Sequence, residues 1–325
     1  MNKPALLNSL TSMLFLQPIA FTSLYQKRIW GGRALESHLK RVLPSSANVG
    51  ESWDVTDRPE AESLVQSGGP VGTELHTLWR HHREALFGKR TPKAERFPLL
   101  IKLLDAREVL SVQVHPSGLE TVPGLGEPKN EWWYILEAEP DAAVYAGFKN
   151  GVTRATLEKA MAEGTLEALL HRIPVKKGDS LYVPGGRCHA IGGGCLIAEI
   201  QQNSDTTFRM FDWNRLGPDG HPRELHTEKS LACVNVDDHQ PSLDPPLRDN
   251  PFACEFFRVS QLEIREATRP AHAGGAFFLV LSGCVQVGDS QFGLGDWFLL
   301  PATAESLLIA PSKERRASLL QVNLP

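Results

Sequence analysis

The sequence predicts a mainly β protein built from two units of antiparallel sheet, barrel or sandwich in form, with a small helical insertion. Short apolar runs recur between turn residues, as in FPLLIKLL, EWWYILEA, DSLYVPGG, GCLIAEIQQ, AFFLVLSGCVQVGD and DWFLLPA, among 27 glycines and 23 prolines. Closely spaced short strands with turn signals are the mark of such all-β units. The pattern G-D, four residues, then Pro occurs in KGDSLYVPGG and again in LGDWFLLPAT, which points to a repeated unit. Between the two copies, NVDDHQPSLDPPLRDNP from Asn235 to Pro251 is polar and proline-containing and reads as a linker. The first unit is therefore assigned to residues 14–240 and the second to 250–325.

Along the chain, Ala5 to Ala20 (ALLNSLTSMLFLQPIA) is apolar, but Asn8, Ser9, Thr11, Ser12 and Gln17 interrupt it and only Lys3 precedes it, a poor export signal. It is too short and polar for a membrane span, and Met13 offers an alternative start that would leave residues 1–12 dispensable. The strand runs follow, broken twice by helical patterns. Ala61 to Phe87 contains TELHTLWRHHREALFG, and Thr153 to His171 sets Leu157, Ala160, Met161, Leu166, Leu169 and Leu170 at helical intervals. The second gives a helical insertion at about 152–172.

Composition narrows the function. With 42% hydrophobic and 22% charged residues over 325 positions, a sizeable core is expected. A net charge of -4 and a pI near 6.3 give no electrostatic support for nucleic acid or an anionic membrane as partner. Five scattered cysteines without a C-x-x-C pair suit a reducing, cytoplasmic setting. A small molecule is the expected partner, and a monomer or weak homodimer the expected state.

Candidate chemistry begins in LSVQVHP. Alternation places Gln113 and His115 on one face of a strand, with Val112, Val114 and Leu110 on the other. Alone, that pair reads as an exposed polar face. Glu131, however, opens the aromatic run EWWYIL, an awkward place for a carboxylate unless it is paired or bound to a metal. His189 follows the bend Pro184-Gly185-Gly186 at a strand start. One amide, two imidazoles and a carboxylate suit a borderline divalent cation, Zn2+ foremost.

The run GDSLYVPGGRCH matches the second cupin motif, G-x5-P-x-G-x2-H, through His189, and Gln113, His115 and Glu131 stand where the first motif has H-x-H and its glutamate. The chain thus resembles a metal-binding cupin, which implies jelly-roll β-barrels. More narrowly, IWGGRAL, GESWDVTD, FPLLIKLLDAREVLSVQVHP, PKNEWWYIL, VPGGRCHAI and EIQQNSDTTFRMFDWNR are similar to the blocks of type I mannose-6-phosphate isomerases of the compact bacterial form.

The resemblance implies one zinc ion per chain on Gln113, His115, Glu131 and His189, and isomerisation of mannose 6-phosphate and fructose 6-phosphate through a cis-enediol. It places Lys102 and Lys129 in the pocket, with Arg209 and Asp205 in the NSDTTFR block. Lys129 is the expected proton-transfer group, lowered by the ion and by burial beside Trp132 and Trp133, with Asp205 as the alternative. Lys102 and Arg215 are expected to bind substrate, and Arg209 to meet the phosphate or the enediolate. A non-catalytic sugar-phosphate-binding regulatory cupin is the alternative, and an iron oxygenase is disfavoured by Gln113 in a histidine's place.

Other features take plainer readings. Cys188 should point opposite to His189 as a small buried thiol. His76, His81 and His82 lack the i, i+4 spacing of zinc helices and read as a solvated helix face. GLGEP reads as a turn carrying Lys129 toward the site. GGRC places a bulky Arg187 near it, a departure from the family's A-G-T, as PKNE departs from G-K-T-E. In the second unit, GDWFLLPATAES lacks the motif's glycine and histidine, so a degenerate cupin-like unit without metal, packed on the first, is expected.

Overall fold

A strand covered on both sides carries apolar residues at consecutive positions rather than alternate ones. Leu99–Ala106 is buried throughout, and Cys195–Gln202 nearly so. In the computed structural model, which describes residues 15–119, 124–217, 220–270, 274–312 and 316–325, these strands sit inside a six-stranded sheet. Its order is Ser180–Val183, Glu131–Ala138, Cys195–Gln202, Leu99–Ala106, Glu51–Val55, Leu24–Gln26, with every pair antiparallel. A five-stranded sheet, Leu170–Pro174, Ala143–Phe148, His189–Ile191, Val112–Val114 and Phe208–Phe211, is also antiparallel throughout. Trp30, Leu104, Trp133, Ile135, Val144 and Ile197 pack together between the two sheets.

Beyond the linker, Phe252–Ala253, Arg258–Ile264, Ala317–Asn323, Ala276–Ser282 and Trp297–Leu300 form another five-stranded sheet, beside a three-stranded one of Ser290–Gly293, Cys284–Val287 and Ile309–Pro311. Among the described residues the edge strands of these sheets stay unjoined, so each unit is a two-layer jelly-roll sandwich and not a closed barrel.

The outer faces are covered in two ways. Val112, Val114, Ala190, Phe208 and Met210 lie under the helices Arg154–Glu163 and Thr227–Cys233. The first helix starts at a Thr153–Thr156 capping box and ends at Gly164, whose φ of 68° is open to glycine and costly for other residues. The outer face of the six-stranded sheet, with Ile101, Leu103, Trp132 and Ile200, shares one core with Phe277, Leu279, Leu320 and Val322 of the later sheet. The helix Leu75–Phe87 seals that core, its Trp79 and Phe87 meeting Phe97 at ring separations of 5.4 and 5.2 Å and its Phe87 meeting Phe277 at 6.1 Å. Ile19 exchanges both backbone hydrogen bonds with Leu299 at 2.8 Å, tying the start of the described chain to its last sheet.

Several expectations are corrected. The helix within 61–87 begins only at Leu75, because Ala61–Glu62 and Val65–Ser67 are strands. A strand begins at Leu170, inside the expected insertion. Leu110 belongs to the core between the sheets, opposite to Val112 and Val114, because the regular strand starts only at Val112. His82 is not on a solvated face: its ring lies 5.1 Å from that of Phe15, and burial followed by the charge of His81 lowers its pKa. Met13 and the apolar stretch up to residue 14 lie outside the described residues. No described helix is long and apolar enough to cross a membrane.

Candidate active site and metal centre

Residues directly opposite each other in antiparallel strands share a face. His189 pairs with Gln113 and Gln113 with Arg209, forming one polar row across three strands. The six-stranded sheet contributes Trp53, Lys102, Glu199 and Trp133, paired in turn across four strands. Glu131 shares Trp133's face two residues earlier on the same strand.

Backbone contacts lock the three pieces that carry the donors. Gly186 N–H donates to His115 O at 2.8 Å, and Lys129 N–H to Pro116 O at 3.0 Å. A Cβ on Gly185 would stand 2.5 Å from Pro116 O and from Ser117 Cα, so only glycine lets the turn approach this closely. Asn130 Oδ1 accepts from Gly185 N–H and Tyr182 O–H, both at 3.0 Å, fastening the turn to the strand that bears Glu131.

His115, Glu131 and His189 bring their donor atoms within 4.8 Å of one another, all buried. His115 Nε2 lies 3.2 Å and His189 Nε2 3.8 Å from the Glu131 oxygens, and Gln113's amide reaches His189 Nε2 at 3.3 Å. Four ligands about 2.0–2.1 Å from one tetrahedral ion stand about 3.3 Å apart, so the spacing fits. His115 Nε2 and Glu131 Oε2 are buried without a hydrogen bond, as lone pairs reserved for a cation would be. His189 Nδ1 donates to Arg187 O at 2.9 Å, which leaves Nε2 as its acceptor. Burial, then Lys129, pushes His115 down to about 3, so its imidazole is neutral. Burial opposes ionisation of Glu131, but Lys129 and then His115 hold its carboxyl well below the usual range.

Beside this cluster lies a cavity of about 340 Å³ whose wall includes Lys102, Gln113, Lys129, Glu131, Glu199 and Arg209. Lys102 Nζ stands 3.3 Å from Glu199 Oε1 and 3.6 Å from Glu51 Oε2, and 5.1 Å from the Trp53 ring centre. Burial, and next Glu131, raises Glu199 to about 7, while Trp133 Nε1–H fixes its Oε2 at 3.0 Å. Glu51 falls to about 2: burial opposes this, but Lys102 and Arg28 outweigh it.

A depressed carboxylate contributes stability in full above its unfolded value, and this is lost as pH falls through the folded value. Glu51's share is therefore present above about pH 4.5 and lost toward pH 2. The stability gap between wild type and Glu51→Gln is expected to be on the order of 3 kcal/mol at pH 7 and to shrink steadily below pH 4.5. Urea unfolding across that range measures it; a gap independent of pH would contradict the assignment.

The structure brings together most of the residues singled out in the sequence. Lys129 Nζ is 3.0 Å from Glu131 Oε1, and Asp205 is exposed at the cavity rim. Arg209 lines the cavity with Nη1 donating to Glu224 O at 2.7 Å. Arg215 is turned away and does not line it: Asp212 holds Nε at 3.0 Å, and Nη1 donates to Val109 O at 2.6 Å. Arg187 also leaves the site, because its side chain pairs with Asp238 at 2.7 Å, and only its carbonyl serves His189. Trp132 faces the opposite core and donates to Asp244 Oδ2, so Trp133 alone of the two flanks the cluster, 5.4 Å from the His189 ring. Cys188 points away from His189 into the helix-covered core.

Glu199, Glu51, Arg28 and Arg223 also line the cavity and were not singled out. Glu199 carried the signal that marked Glu131: a carboxylate inside an apolar run, CLIAEIQQ, on the face of Cys195 and Ile197. Arg223 carried none, since it lies on a segment without regular structure.

Comparison with known proteins places the chain in a family. Residues 19–131 match the family model for the phosphomannose isomerase type I catalytic domain. Mannose-6-phosphate isomerase ManA of Bacillus subtilis (strain 168) is 39% identical over 254 residues, 75% of this chain and 79% of that protein. The mannose-6-phosphate isomerase of Streptococcus mutans serotype c is 36% identical over 306 residues, 89% and 94% of the two chains. The crystal structure of a mannose 6-phosphate isomerase from Bacillus subtilis superposes with a TM-score of 0.82 at 32% identity, covering 95% of this chain and all of that one. On this identity, coverage and shared fold, the chain belongs to the type I mannose-6-phosphate isomerase family.

Proposed function

We propose that the cavity interconverts mannose 6-phosphate and fructose 6-phosphate by moving a proton between C1 and C2 through a cis-enediol, with zinc as the metal. The observation that carries this is the buried His115–Glu131–His189 cluster opening on a cavity of about 340 Å³, a size suited to one small ligand. Gln113, His115, Glu131 and His189 are the residues that would hold the ion, and their N and O donors suit zinc. A divalent cation there supplies Lewis-acid stabilisation of negative charge on the sugar oxygens.

The chain's own groups do the rest. Lys102, clamped between Glu51 and Glu199, places a cation at the reacting face. Lys129, against Glu131, stands where it can exchange a proton with a sugar oxygen. Glu199 is the group best placed to carry the proton between carbons: it is rigidly held by Trp133, buried, and ionises near neutrality. Asp205, exposed at the rim, competes less well because water solvates it. Arg209 adds a fixed guanidinium for anionic parts of the substrate. Five free cysteines support a cytoplasmic setting.

The test is purified protein supplied with fructose 6-phosphate and followed for mannose 6-phosphate, before and after chelation and then with added zinc. Turnover lost on chelation and restored by zinc is expected. Turnover indifferent to chelation would overturn the metal assignment, and no turnover by the zinc-loaded protein would leave a binding module.

A further inference from the structure

Beside the cavity, two guanidinium groups, those of Arg223 and Arg215, share the carboxylate of Asp212. Arg223 donates to Asp212 in two-pronged fashion, Nε to Oδ2 at 2.7 Å and Nη2 to Oδ1 at 2.5 Å. Arg215 meets the same carboxylate at Oδ1, its Nε donating at 3.0 Å and its Nη2 standing 2.8 Å away. The turn between Asp212 and Arg215 passes through two left-handed residues, Trp213 at φ 56° and Asn214 at φ 53°, a costly conformation for a side chain as large as tryptophan. Trp213 Nε1–H anchors it on Leu110 O at 2.6 Å. Asp212 is 6% exposed, and Arg223 and Arg215 hold its carboxyl low against the opposing effect of burial.

Arg215 alone would neutralise Asp212, so Arg223 brings uncompensated positive charge to the cavity. It stands close enough to Arg209 that, after burial, it is the main cause lowering that guanidinium's pKa. Arg209 Nε is itself buried with no hydrogen-bond partner. Two like charges both lining one cavity, one with an unmet buried donor, make a site for a dianion.

We propose that Arg223, aimed by Asp212, joins Arg209 as the arm that binds the phosphate monoester of the substrate, so that Asp212 is a positioning residue for phosphorylated sugars. This rests on the sugar-phosphate reading of the cavity. The test compares wild type, Arg223→Ala, Arg223→Lys and Asp212→Asn by KM and kcat for mannose 6-phosphate, and by inhibition and thermal protection with inorganic phosphate. Arg223→Ala is expected to raise KM and the phosphate inhibition constant together by about 30-fold while kcat changes little. Arg223→Lys, which keeps the charge, should recover part of the loss. Asp212→Asn should shift both constants the same way and add nothing in the Arg223→Ala background. A fall in kcat with both constants unmoved would overturn the proposal. If wild type turns over no sugar phosphate, the wider reading fails, and phosphate protection of wild type but not of Arg223→Ala still decides Arg223's role. Equal protection in both would overturn it.

Discussion

Gln113→Ala and His115→Ala are each expected to strip the bound metal and to lower kcat by about 1000-fold or more, while the fold survives. Both side chains sit on or just after the three-residue strand Val112–Val114, and neither contributes to the apolar packing of Val112 and Val114 beneath the helices. His115 in particular makes no hydrogen bond through either ring nitrogen. Its removal from metal-free protein therefore relieves a buried unsatisfied group even as it leaves a cavity, and the two effects oppose each other. Metal content by atomic emission, kcat and a thermal melt of the chelated proteins measure all three. Metal retained at full occupancy in both variants would refute the ligand set.

Glu199→Gln should give the second large effect with the opposite metal signature: kcat lower by about 100- to 10,000-fold with the ion still bound. The amide is isosteric and can keep the hydrogen bond from Trp133 Nε1, so folding is preserved. A base must be ionised to act, so kcat/KM of wild type should rise with pH through the Glu199 ionisation and then level off. Burial and the charge on Glu131 place that ionisation at about 7 in the metal-free chain, and a cation on Glu131 moves it lower by cancelling the second cause. The rising limb should vanish in Glu199→Gln. A variant that keeps the limb, or loses less activity than Asp205→Asn, would return the proton-transfer role to Asp205 or Lys129.

The four metal-ligand candidates were legible because each broke a local pattern. Gln113 and His115 put two polar groups on one strand face, Glu131 opened an aromatic run, and His189 followed a glycine turn. Local patterns also gave the helix at Arg154–Glu163, with its cap and its terminating glycine. The mistaken readings share a cause. Arg187 and Trp132 lie close in sequence to ligands, but Asp238 and Asp244, 51 and 112 residues away along the chain, draw their side chains elsewhere, whereas Arg215 is held by Asp212 only three residues before it.

The β class, the family and the candidate donors could be read from the chain alone, since strand alternation and turn chemistry are properties of residues a few positions apart. What only the tertiary structure decided was the rest of the cavity: the Trp53–Lys102–Glu199–Trp133 row, the Glu51 clamp and the arrival of Arg223. These depend on register between strands far apart in the chain and on which carboxylate captures which guanidinium. Both are settled by burial and charge balance once the two sheets have closed on each other, and neither is written in any short stretch of residues.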